Sequence, residues 1–329
     1  MSEACANAAN RYGQASRLYL RIAANAGRSY LAESSFTAPL KVLEPFYDTQ
    51  GRMLLTLITV SAATMAGDVQ DIELELAADA SARISSQAFE KLHAMPAGSQ
   101  ASRRITARIG SGATLDYSPL PTIPFADSAF VGSLHFELAD TTSRLFYSDI
   151  LAAGRIAAGE RFAMRRWCNC VELYQQGRLA WMDNLVLEPI PASVSEPESA
   201  SRPVSKPTSA SRPESEPASV SEPASKPASK PAAKPAAKSE PASAPPASRP
   251  PGHPDSPACF AGYSHLGSAL LANFAPDGGA EAQLAALTNS FDGYAGFSRT
   301  AAGYLSIKSL AHGSEPILSL HQQLRELLV

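Results

Sequence analysis

The chain has 329 residues, 45% of them hydrophobic and 18% charged, with a formal net charge of −3. That length can bury a sizeable core in one large or two modest domains, and near-neutrality excludes the basic footprint of a nucleic-acid binder. No apolar run reaches the roughly 20 residues of a membrane-spanning helix, residues 1–7 lack the pattern of a secretion signal, and Cys5, Cys168, Cys170 and Cys259 are too scattered for a disulfide framework, so a cytoplasmic protein is expected.

Residues 54–60 (LLTLITV) form an apolar, β-branched run that ends in a turn-rich stretch at Gly67 and Asp68. In residues 71–76 (DIELEL) alternation puts Ile72, Leu74 and Leu76 on one face and three acids on the other, the mark of a half-buried strand. Further strand candidates are 82–87, 104–109, 112–117, 132–138 and 144–150. A hairpin is expected where 171–174 turns at Gln175–Arg178 into 179–187. Another strand is expected within 263–274. Helix signals are confined to 279–287 and to 316–329. The latter has Ser314 as N-cap, Pro316 in its first turn, and an apolar stripe of Ile317, Leu320, Leu324, Leu327 and Leu328 suited to packing on a sheet. Strands spaced by roughly ten residues with turn signals between them predict a sheet stack, a sandwich or a β-helix-like coil.

Residues 191–257 differ from everything around them. They repeat Ser-Glu-Pro, Ser-Lys-Pro and Ala-Ala-Lys-Pro and hold 17 of the 26 prolines, without one aromatic residue, Leu or Ile. Too little apolar surface is available there to offset the entropy of ordering, and the prolines favour an extended tether. The expected organisation is therefore a β scaffold in 17–190, a disordered insertion in 191–257, and the rest of the scaffold with its terminal helix in 258–329. Long insertions of this kind cost little in loop closure.

No catalytic grouping stands out. Gly-x-Ser-x-Gly, His-Glu-x-x-His and a phosphate loop are all missing from the sequence. Asp149 and Glu160 admit one enzymatic alternative, a carboxylate pair of the kind glycosidases carry on β scaffolds. Another alternative is a structural β module on a proline-rich stalk. Cys168 and Cys170 are spaced for chelation on one face of a strand, but two packed cysteines are the favoured reading. His93, His135, His265, His312 and His321 form no His-x-His or i, i+4 pattern.

Several segments resemble, in order, the urease accessory proteins called UreD or UreH. They are APLKVLEPFY at 38–47, Gly67-Asp68, SSQAFEK at 85–91, DYSPLPTI at 116–123, and 149–162 with its Asp-Ile, Gly-Arg and Gly-Glu-x-Phe. Looser matches follow at 295–298 and 307–310, with Lys308 where arginine is usual. The resemblance implies a mainly β, stacked or helical (β-helix-like) scaffold with about two α-helices, and no enzymatic activity. It implies binding to apo-urease subunits and to UreF, which recruits the GTPase UreG. It also implies Ni²⁺ in transit rather than a resident cofactor. Such a route needs oxygen ligands that hold a dication loosely. The polar residues inside the matching segments, Asp68, Ser86, Asp116, Asp149 and Glu160, are the candidates for lining or shaping it.

Deleting residues 191–257 is expected to leave partner binding intact. Loss of UreF co-purification by the truncated chain would show that the segment takes part.

Overall fold

Hairpins at both ends of one sheet set the limits of the fold. The computed structural model describes residues 13–189, 259–274 and 280–328; the expected insertion at 191–257 lies outside them. The first hairpin joins β1 (Ala15–Asn25) to β2 (Arg28–Phe36) through Ala26 and Gly27, both at positive φ. Two such residues in succession make the turn whose twist matches that of paired strands. Short β3 (Leu40–Val42) and β4 (Phe46–Tyr47) then lead into β5 (Met53–Thr59).

From there the chain coils. Next come β6 (Val69–Leu76), β7 (Ser81–Ser86), β8 (Glu90–Leu92), β9 (Ala101–Ile109), β10 (Thr114–Tyr117), β11 (Thr122–Pro124), β12 (Ala129–Leu138) and β13 (Arg144–Ala152). A 3-10 turn (Ile156–Ala158) precedes the second hairpin, β14 (Arg166–Gln175) and β15 (Arg178–Leu187), which turns at Gln176 and Gly177 as the sequence predicts. The rest comprises β16 (His265–Ala272), α1 (Ala280–Asn289), β17 (Tyr294–Arg299), β18 (Leu305–Ala311) and α2 (Ser314–Leu328). The β-helix-like reading holds, and among the described residues there are two α-helices. The hairpin β1–β2 and the strands β17 and β18 are additions to the sequence reading.

Successive long strands fall alternately into two sheets. One runs β15-β14-β12-β9-β6-β1-β2, parallel at its centre and closed at each edge by an antiparallel return. The other runs β17-β18-β16-β13-β10-β7-β5-β3, again parallel through β5, β7, β10 and β13. Strands from both sides of the insertion share this sheet, because β16 pairs antiparallel with β13. A short third face closes one corner, where Thr64 bridges Leu92 and β8 pairs with β11. Consecutive turns of the coil touch through backbone at Gly110, where a Cβ would lie 2.8 Å from the Leu76 carbonyl oxygen.

Parallel pairing in constant phase stacks equivalent residues. In the first sheet Leu18, Ile72, Ile105, Leu134 and Val171 form one inward row. Leu20, Leu74, Ala107, Phe136 and Leu173 form the next, and Ile22, Leu76, Ile109 and Leu138 a third. All are buried in one core cluster with Leu55, Ile84, Leu115 and Tyr147 of the facing sheet. At about 1.5–3 kcal/mol for each large side chain removed from water, these rows supply most of the cohesion.

The outer side of the second sheet is covered by the helices. Phe146, Ala269 and Leu271 meet Leu284 of α1 and Leu320 and Leu324 of α2. Contact is close at Gly267, where a Cβ would run into the Ile317 side chain. The predicted apolar stripe of α2 is thus its packing face. His321 lies on the same side, buried, and its Nε2 has no hydrogen-bond partner. Burial, and next the charge of Arg325, push its pKa down to about 3.

A folded-state pKa below the ordinary value of about 6.5 means that His321 stabilises the fold above that pH and loses its contribution as pH falls toward about 3. The stability of the native chain should therefore drop by up to about 1.4 kcal/mol per pH unit more steeply than that of His321→Gln over this window. Urea unfolding at pH 7, 5.5 and 4.5 measures the difference; parallel curves would refute it.

Candidate interior polar site

One stacked row breaks the apolar rule. Beside the row that begins at Leu18, the inward positions of the first sheet are Ser16, Gln70, Arg103, Gly132 and Asn169. Strand alternation alone dictates this, since Gln70 lies on the same face as Ile72, Leu74 and Leu76. The facing sheet is polar at the matching height, with Asp149 paired in register to Ser268 and Ser268 to Lys308.

Between them lies a cavity of about 50 Å³, room for one or two waters. Arg103, Tyr117, Pro119, Tyr147, Asp149, Trp167 and Asn169 are among its lining residues. Gly132 makes the space, because a Cβ there would collide with Asn169 Oδ1. Asn169 Nδ2 donates to Asp149 Oδ2 at 3.3 Å. Burial raises the Asp149 pKa, and the charge of Lys308 partly opposes that shift. Burial, and next the Asp149 charge, push the Tyr147 hydroxyl well above its ordinary range, although the two groups do not meet in hydrogen-bonding geometry. Tyr147 Oη, Trp167 Nε1 and nearby Gln70 Nε2 are buried polar atoms without a protein partner. Such groups cost about 1–3 kcal/mol each unless water or a ligand satisfies them, so this cavity is built to be wet.

An ion pair stands on either side of Asp149. Arg103 Nη2 meets Glu90 Oε2 at 2.7 Å, while its Nε donates to Gln70 Oε1 at 2.6 Å. Burial pushes the Tyr117 hydroxyl up to about 12, opposed by the Arg103 charge and reinforced by that of Glu90. On the other side Lys308 Nζ pairs with Asp183 and donates to Ser268 Oγ at 2.9 Å. Glu90 also lines a second space, of about 100 Å³, with Ser86, Gln87, Phe89 and Lys91.

The five residues nominated from the sequence separate by location. Asp149 lines the inner cavity and Ser86 the outer space; Ser86 Oγ accepts from Leu120 N at 2.9 Å. Asp68 caps a turn, accepting from Met65 N at 2.8 Å and Gln14 N at 3.1 Å. Glu160 is bound to Arg155, which holds its carboxyl below the usual range, and accepts from Ala126 N at 3.1 Å. Asp116 is fully buried on the outer side of β10, because Leu115 and Tyr117 take the inner side. It meets Ser118, Arg325 of α2 at 2.9 Å and Arg83 at 3.5 Å. Glu160 is not among the residues lining the space around Asp149, so the two do not face a common cleft as a glycosidase pair would. Glu90, Arg103 and Asn169 escaped sequence reasoning, since only the stacking register aligns them.

Cys168 and Cys170 depart from the packed-core expectation. Trp167, Asn169, Val171 and Leu173 take the inner face of β14, leaving both thiols half-buried on the outer face. Burial raises the Cys170 pKa. Among the described residues no group of three or more His, Cys, Asp or Glu is arranged to hold a metal ion, and no helix is long and apolar enough to cross a membrane.

The family model described as "UreD urease accessory protein" matches residues 14–203. The chain is 39% identical over 181 residues to urease accessory protein UreD of Acetivibrio thermocellus, covering 55% of this chain and 68% of that one. It is 37% identical over 181 residues to UreH of Helicobacter pylori strain G27, with the same shares. A longer match to UreH of strain J99 is 28% identical over 320 residues and covers 97% of each chain.

Asp116→Ala leaves Arg325 and Arg83 without their buried partner. Breaking a buried pair in this way should cost about 3–5 kcal/mol and loosen α2 first. Hydrogen exchange of the α2 amides, with urea unfolding, tests this; native-like protection of α2 would overturn it.

Proposed function

The chain belongs to the UreD urease accessory protein family, and on that premise we propose that it is a cytoplasmic, non-catalytic chaperone of urease maturation. Its partners in this reading are apo-urease and UreF, with UreG recruited through UreF. Its cargo is Ni²⁺, taken through the interior of the coil toward the urease active site. Exposed Leu179, Met182 and Val186 on edge strand β15 support a role in protein contact.

The observation that carries the reading is the polar row converging on Asp149 inside an otherwise apolar coil. A cation in such an interior needs both water and counter-charge. Two unit charges 4 Å apart gain about 4 kcal/mol at an effective dielectric of about 20, and a dication doubles that. One carboxylate with an amide and a phenol is therefore enough to attract the ion, yet too few ligands to retain it. Ser86 marks one approach to this site, through the space it shares with Glu90; the Lys308–Asp183 pair marks the other.

Asp149→Asn keeps shape and hydrogen bonding but removes the charge. Urease matured with this variant at micromolar nickel should carry at least about ten-fold less nickel, the factor that about 1.4 kcal/mol represents, while co-purification with apo-urease is unchanged. Full nickel loading measured by mass spectrometry would sink the proposal.

A further inference from the structure

Glu90 and Arg103 occupy the seam between the outer surface space and the inner cavity. Glu90 lines the outer one beside Ser86 and Lys91, and Arg103 lines the inner one beside Tyr117 and Asp149. Both Glu90 carboxylate oxygens are engaged, one by Arg103 Nη2 at 2.7 Å and the other by Thr64 Oγ1 at 2.5 Å. The guanidinium is steadied by Gln70 through Oε1 alone, leaving the buried Gln70 Nε2 without a partner. A guanidinium does not lose its proton in a protein. Its repulsion toward a passing cation can be cancelled only by a counter-ion, and Glu90 is the one within reach.

We propose that Glu90–Arg103 is a counter-ion exchange latch for a divalent cation. The inference rests on the interior-passage reading above. While the latch is closed, Glu90 neutralises Arg103 and the pair fills the seam. A dication arriving in the outer space competes for Glu90 with twice the charge of the guanidinium, so the carboxylate exchanges one partner for the other. The bared Arg103 charge then repels the ion while it stays near the seam. When the ion reaches Asp149, Arg103 recaptures Glu90 and return is blocked. No covalent bond changes; one ion pair is traded for another. A monovalent cation has no such advantage over the guanidinium, so the latch also selects for charge.

A pair that merely braces β8 against β9 would behave differently. The tests use the purified full chain dialysed against Ni²⁺ alone, and urease co-expressed with the full accessory set. Arg103→Gln frees Glu90 and should bind Ni²⁺ at least about ten-fold more tightly than the native chain, while delivering less to urease. Glu90→Gln leaves the guanidinium uncompensated; it should lack the gain in affinity and lower urease nickel by about ten-fold. The double variant removes both charges and should restore delivery to within about two-fold of native. Should Arg103→Gln fail to fold, Arg103→Lys, a point charge with looser geometry, should still bind Ni²⁺ more tightly than the native chain. Unchanged Ni²⁺ affinity in the folded Arg103 variant, or a double variant as defective as Glu90→Gln, overturns the latch. Asp149→Asn in the same series separates the two ideas. If it lowers urease nickel while Glu90→Gln does not, only the latch fails; if it too is harmless, the passage fails with it.

Discussion

In-register parallel stacking is the constraint on which the molecule depends. Each turn of the coil lies on the last with the same face inward, so whatever chemistry occupies one height is repeated by the next strand. Leu20, Leu74, Ala107, Phe136 and Leu173 show the apolar result. Ser16, Gln70, Arg103, Gly132 and Asn169 show the polar one. A slip of one residue would turn every side chain to the other face. The apolar rows thus protect the polar row's alignment, and the cavity at Asp149 inherits its shape from packing elsewhere.

Charge is distributed with similar economy. Carboxylates and cations pair along the polar row, Glu90 with Arg103 on one side and half-buried Asp183 with exposed Lys308 at the open end, while Asp149 between them is held by neutral groups and by the more distant Lys308 charge. Asp116 is the counter-example on the outside of the same sheet. Two arginines and a hydroxyl saturate it, and its work is to fasten a helix. Carboxylates from neighbouring family segments therefore serve opposite ends, one exposed to the inner cavity and one sealed under α2.

The sequence disclosed the fold better than the site, and the reasons are physical. Alternation in β6 and the apolar stripe of α2 are local signals, so both elements were legible. Strands β17 and β18 were not: they form a hairpin with each other, and its place in the sheet is set by the pairing of β18 with β16 on the far side of α1. Alternation around Leu115 and Tyr117 already sets Asp116 apart from the interior. Asp149 offers no such clue, since β13 is covered by the core on one face and by the helices on the other, and nearly all its residues are apolar or buried. Glu90 and Arg103 belong to different strands, and only the closed corner formed by β8 and β11 brings them together.

The partner of Asp116 comes late. Arg325 follows it by 209 residues and Lys308 follows Asp183 by 125. A ribosome adding about 5–20 residues per second exposes β10 for roughly ten to forty seconds before α2 emerges. Until α2 is made Phe146 lacks its cover by Leu320, Leu324 and Arg325, and until β18 is made one end of the polar row lacks its lysine. The coil can wind as it is made, but its lid and one of its charges are fitted only after a long further stretch of chain has been added.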